Sequence, residues 1–133
     1  MSIGAVSKQT KLPTKTIRYY EQAGLIATPQ RGANGYRFYN EQNVSELHFV
    51  KGARQAGFSV AQSKELLMLF RDKSRASSEV KKLTLAKITE IRQRIDALTA
   101  MVTKLEDLAE QCVGDENPDC SILQGLENNQ LEP

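Results

Sequence analysis

Cys112 and Cys120 are the residues of this 133-residue chain whose type and spacing are suited to chemistry. Seven residues, VGDENPD, separate them, and Gly114 and Pro118 make that segment a loop able to bring two sulfurs together. With no third Cys and no His in this neighbourhood, one chain leaves a tetrahedral zinc site incomplete. Two thiols also cannot hold an iron–sulfur cluster alone. Two thiolates suit a soft monovalent d10 ion, such as Cu(I) or Ag(I), in near-linear geometry. The same spacing also fits Cys112 as the last apolar position of a helix and Cys120 as a small buried apolar residue. Nothing points to an enzyme: the single histidine, His48, stands apart from any Cys or carboxylate cluster and is expected to be structural or exposed. No nucleophile–base pair or phosphate-cradling glycine loop is present.

A second constellation lies near the N-terminus. Lys15, Arg18 and Tyr19 fall at i, i+3 and i+4 and share one helix face, while Ile17 and Tyr20 point towards a core. A helix presenting two cations and a phenol can enter a major groove, where Arg reads guanine and Lys or Tyr grips phosphate. A merely solvated face more often mixes signs, as Glu21 and Gln22 begin to do.

The elements that position these groups follow from capping and periodicity. Ser2 is the expected N-cap of a first helix with apolar Ile3, Val6 and Leu12, ending against Pro13. Thr14 is the expected cap of the second, KTIRYYEQA, and Gly24 stands where a left-handed residue closes a helix. Two short helices joined by a tight turn make a helix-turn-helix or an ordinary helical hairpin. In TPQRGANGYRFYN, the Asn34-Gly35 pair predicts a hairpin. Arg31 and Arg37 flank its turn and, with Tyr36, suit phosphate contacts, whereas Phe38 is expected to cover the core.

From Asn40 a helix with Val44, Leu47 and Val50 inward runs to Gly57, past the basic pair Lys51 and Arg54. Ser59 caps the next, with Val60, Leu66, Leu67, Leu69 and Phe70 apolar. The polar segment RDKSRASSEVKK separates the two halves. Beyond it Thr84, Ile88, Ile91, Ile95, Leu98, Val102, Leu105 and Ala109 alternate spacings of four and three, a coiled-coil seam. A rod of roughly 45 Å cannot bury that seam on its own head, so the economical partner is a second copy. SILQGL after Cys120 predicts a short closing helix.

Charge divides the same way. Residues 1–75 hold 12 Lys and Arg against 5 Asp and Glu, and the remaining 58 hold 6 against 11. A basic half joined to an acidic half is the asymmetry expected when one half faces a polyanion. A coiled-coil adaptor with a basic end is the rival from another class. No apolar run approaches the roughly 18 residues a bilayer span needs, and the N-terminus lacks a signal-peptide core, so a cytoplasmic protein is expected.

The run from Ile3 to Phe70, with TIRYYEQAGLI, then NGYRFY, then ARQAGFS, resembles the MerR family of transcriptional regulators. The likeness continues through the long helix to the cysteine loop, over nearly the whole chain. Within the family, the C-X7-C loop together with Ser77, just before the long helix, is similar to the copper-efflux regulators; divalent-metal members carry a cysteine where Ser77 stands. The resemblance implies a mainly α fold. Its parts are a winged helix-turn-helix DNA-binding domain over 1–72, a linker and long antiparallel coiled-coil dimerisation helix over 73–111, and a metal-binding loop, short helix and tail over 112–133. It further implies a homodimer on a pseudo-palindromic double-stranded promoter shared with RNA polymerase, which the metal-bound form kinks and untwists. By this likeness Lys15, Arg18 and Tyr19 lie in the major groove, while Arg31, Tyr36, Arg37 and Arg54 hold the DNA backbone. Cys112 and Cys120 bind Cu(I), Ag(I) or Au(I), one ion per loop, with the partner's Ser77 beside them setting selectivity. Sensing of a divalent metal or of thiol oxidation is the alternative. Two features depart from close relatives: Val113 stands where Pro is frequent, and the tail NNQLEP lacks a Cys and His cluster.

Overall fold

The computed structural model describes residues 1–129; the last four residues of the tail NNQLEP lie outside the described residues. Six helices and two short strands follow one another as α1 (Ile3–Thr10), α2 (Thr14–Gln22), β1 (Gln30–Arg31), β2 (Arg37–Phe38), α3 (Glu41–Gln55), α4 (Val60–Arg71), α5 (Ser77–Gln111) and α6 (Ser121–Glu127) among the described residues. They divide into two compact units, one spanning Met1–Lys87 and a second beginning at Ile88.

Local chemistry sets most boundaries of the first unit. The Ser2 hydroxyl accepts from the Ala5 amide, and α1 ends at Lys11 in the left-handed region. The second cap differs from expectation: Thr14 is the first helical residue, and Pro13 occupies the cap position without a side-chain hydrogen bond. Proline is tolerated there because its missing N–H needs no partner at a helix start. Gly24, at φ +71, closes α2 as expected. Asn40 and Ser59 open α3 and α4 with reciprocal capping boxes to Asn43 and Gln62.

Val6, Ile17, Tyr20, Leu25, Tyr39, Leu47, Val50 and Leu67 form one apolar core among α1, α2, α3 and α4. A smaller cluster gathers Ala53, Phe58 and Leu66, with Leu83 of α5 packed against it. Arg71 at the end of α4 grips the buried Glu46 of α3 with two hydrogen bonds of 2.7 and 2.6 Å. The chain then makes a formed turn, in which Asp72 accepts from the Ser74 amide and hydroxyl. The polar segment RDKSRASSEVKK is therefore only partly a separator. Its second half supplies the first turns of α5, so Ser77 is the first residue of the long helix rather than a residue before it.

In the second unit, α5 leaves its apolar stripe uncovered. Ile95 and Leu98 are each 54% exposed, and Ile88, Val102 and Leu105 are also exposed. Leu108 is the exception, buried where the Ser121 hydroxyl donates to its carbonyl and ties α6 back to α5. No helix among the described residues is long and apolar enough to cross a membrane.

Candidate metal centre and nucleic-acid interface

The loop after α5 brings the two cysteines face to face, with Sγ atoms 3.6 Å apart and both thiols free. That separation is far longer than a disulfide bond of about 2.05 Å. Gly114, at φ +73, turns the chain, and Asx turns at Asp115 and Asn117 hold the tip. Cys120 stands at the N-cap position of α6, with its sulfur towards the first amides of that helix and no side-chain cap hydrogen bond. The Leu123 amide, followed by the Cys112 thiol and the Ile122 amide, holds the Cys120 thiol below the ordinary cysteine range. A thiolate-favouring sulfur beside a second sulfur is a donor pair fitted to a soft cation. Ser77 belongs to the first unit and both cysteines to the second. Val113 is 86% exposed and buries nothing in the loop.

The basic face of α2 is open to solvent. Lys15 and Arg18 are exposed and Tyr19 is 52% exposed, while Ile17 and Tyr20 are buried as the spacing requires. Next to it, Gln30 pairs with Phe38 and Arg31 with Arg37 in an antiparallel wing. Gly35, at φ +81, makes its turn, and the Arg31 guanidinium donates to the Gly35 carbonyl at 2.9 Å. Tyr36 projects from the tip, 75% exposed. Arg54 is exposed at the end of α3 and donates to the Phe58 carbonyl. His48 is exposed.

Three features depart from the expectations. Phe38 is 57% exposed and does not cover the core; the inward residue is Tyr39, just after β2, because successive residues of an extended chain alternate faces. Glu21 does not begin a solvated stretch. It is buried beside Ile17, accepts a hydrogen bond from the Tyr39 hydroxyl, and lies 3.2 Å from Arg37 Nε. Its place three and four positions beyond Arg18 and Ile17 puts it on the edge of the core face, the one signal that marks it. Lys87, unmarked in the sequence, is buried with its ammonium 5.4 Å from the Phe58 ring centre.

The family model described as "MerR HTH family regulatory protein" matches residues 1–68, and the "MerR, DNA binding" model matches residues 44–108. The chain belongs to the MerR family. As a member it is a DNA-binding transcriptional regulator and not an enzyme. The MerR-family chain is 46% identical over 132 residues to Heavy metal-dependent transcription regulator 2 of Rhizobium meliloti, covering 99% of this chain and 90% of that protein. It is 45% identical over 126 residues to the HTH-type transcriptional regulator CueR of Escherichia coli O6:H1, covering 95% and 93%. Among solved structures it is similar to the regulator PbrR691 of Ralstonia metallidurans CH34 in complex with lead(II), with a TM-score of 0.82 at 29% identity, covering 95% and 98% of the two chains. Fold and relatives agree on a winged helix-turn-helix head followed by a long helix.

Proposed function

We propose that this MerR-family protein is a metal-responsive regulator whose Cys112 and Cys120 bind a monovalent soft ion and thereby activate a copper-efflux or detoxification promoter. Cu(I) is the expected ion, with Ag(I) and Au(I) as chemical analogues, one per loop. The observation that carries the reading is the pair of facing sulfurs, 3.6 Å apart, at the end of the long helix. Two sulfur donors satisfy a two-coordinate soft ion, whereas zinc takes four ligands in structural sites. The likeness to CueR supports the same ion. Ser77 supports it too, because a neutral hydroxyl from the partner chain adds no thiolate to the site.

The uncovered stripe of α5 supports a homodimer in which a second α5 lies antiparallel on it. Each head then meets one half of a pseudo-palindromic promoter, working with DNA in the cytoplasm. Lys15, Arg18 and Tyr19 enter the major groove, while Arg31, Tyr36, Arg37 and Arg54 hold phosphates. The metal changes the shape of DNA already bound, so that RNA polymerase at the same promoter finds its two elements aligned.

A second reading, a divalent ion, draws on the lead(II) complex of PbrR691. A third, thiol oxidation, draws on the closeness of the two sulfurs. Transcription in vitro from the chain's own promoter, with Cu(I), Ag(I) and Zn(II) in parallel under reducing conditions, separates them. Activation by Cu(I) and Ag(I) without Zn(II) is expected. Activation by Zn(II) alone supports the divalent reading, and activation by a thiol oxidant without metal supports oxidation.

A further inference from the structure

We infer that Glu21 is a positioning residue for promoter binding: from within the recognition helix it fixes the wing and aims the Arg37 guanidinium at a DNA phosphate. The inference rests on the placement of Arg37 on the DNA backbone proposed above.

Glu21 is the only acidic residue of α2, and its side chain is 4% exposed. One carboxylate oxygen accepts from the Tyr39 hydroxyl, and the other lies 3.2 Å from Arg37 Nε. Both partners belong to the second wing strand and the residue after it, so one carboxylate joins the recognition helix to the wing. Burial and the Glu21 hydrogen bond hold the Tyr39 hydroxyl well above the ordinary tyrosine range, so it remains a donor. The Arg37 Nε–H is not aligned on the Glu21 oxygen, and neither atom has another hydrogen-bond partner. The attraction between them is therefore that of opposite charges in a poorly hydrated place, where it is strong.

Arg37 Nε is buried, yet the side chain as a whole is 31% exposed. Its exposure must lie on atoms other than Nε. A guanidinium has four further N–H donors on its two terminal nitrogens. An arginine held at Nε from inside presents those donors in a fixed fork, and less rotamer entropy is lost when a phosphate takes them. Tyr36, one residue earlier at the wing tip, is free to follow the same backbone.

The sign of one substitution separates positioning from simple charge. Coulomb repulsion alone makes Glu21→Gln bind DNA more tightly, since a negative charge near a polyanion is removed. Positioning makes it bind more weakly, because Arg37 loses its inner anchor. The experiment is a promoter-binding titration of the full dimer over a salt series for the parent, Glu21→Gln, Arg37→Ala and the double variant, each checked for a parent-like melting transition. We expect Glu21→Gln to lose roughly three- to tenfold in affinity and Arg37→Ala to lose at least as much, with a salt slope lower by about 1. In the Arg37→Ala background, Glu21→Gln should cause no further loss. If Arg37→Ala changes neither affinity nor slope, the backbone placement of Arg37 falls first and takes this inference with it. If Arg37→Ala weakens binding while Glu21→Gln leaves it equal or tighter, the placement stands and the positioning role is overturned.

Should Glu21→Gln fail to fold, Arg37→Lys carries the test, because one ammonium keeps the charge but cannot face Glu21 and a phosphate with separate nitrogens. Arg37→Lys is expected to lose most of what Arg37→Ala loses. Parent-like binding by Arg37→Lys overturns the inference.

Discussion

Arg18 stands exposed on α2 one turn from Lys15 and beside Tyr19, and its neighbours on the opposite face are locked in the core. An arginine carried on so fixed a helix can read a base rather than merely attract phosphate. Arg18→Ala is therefore expected to cost about 1–3 kcal/mol of operator binding and to relax discrimination between sequences. A fixed-salt titration against operator and scrambled DNA checks this, and an equal loss on both would assign Arg18 to the backbone. Ser77 makes a different prediction, resting on the proposed dimer. If its hydroxyl stands beside the partner's sulfurs, Ser77→Cys adds a third thiolate and should admit Zn(II), while Ser77→Ala keeps the preference for monovalent ions. Zinc binding by the purified dimers, read with a chromophoric chelator competitor, decides it. A Ser77→Cys dimer that takes up no Zn(II) places Ser77 away from the site.

Among the elements, α3 and α4 are joined by Glu46 and Arg71, whose hydrogen bonds hold the Glu46 carboxyl below the ordinary glutamate range. A carboxyl depressed in the folded state adds stability above its unfolded value of about 4.3 and loses it as pH falls through the folded value. The parent should weaken in urea below about pH 4.3. Glu46→Gln should be less stable by about 1 kcal/mol at pH 7, Arg71 being partly exposed, and should show a shallower acid loss. Parallel acid slopes for the two would remove Glu46 from the acid response. The elements themselves were largely legible, because Ser2, Gly24, Asn40 and Ser59 act at the boundaries through their own side chains or backbone freedom. Thr14 opens its helix instead of capping it, because Pro13, with its φ fixed and no N–H of its own, takes the cap position. Phe38 faces outward where a core position is expected, because a strand of two residues carries too little alternation to show its register in the sequence. The cysteine loop was legible from its own length and turn residues. The meeting of Glu21, Tyr39 and Arg37 is not legible in the sequence, since it depends on how the wing folds back on α2, and no local spacing encodes that.

For the whole molecule, the exposed stripe from Ile88 to Leu105 is the feature a single chain leaves unexplained. Apolar residues on a helix are buried by a partner, and a charge at the middle of such a seam is costly. Leu98→Glu is expected to turn the dimer into a monomer by sedimentation and to abolish operator binding, since one head has half the contacts. A dimeric Leu98→Glu protein would move the interface elsewhere. In the proposed mechanism, metal at Cys112 and Cys120 alters promoter shape and not occupancy. The most direct measurement follows energy transfer between dyes at the two ends of a promoter fragment, with a footprint on the same sample, as Cu(I) is added to the parent and to Cys112→Ser. Equal footprints are expected for both proteins with and without Cu(I), and a change in end-to-end distance with the parent alone. A footprint that appears or vanishes with Cu(I), or a Cys112→Ser dimer that reshapes the fragment as the parent does, would contradict the mechanism.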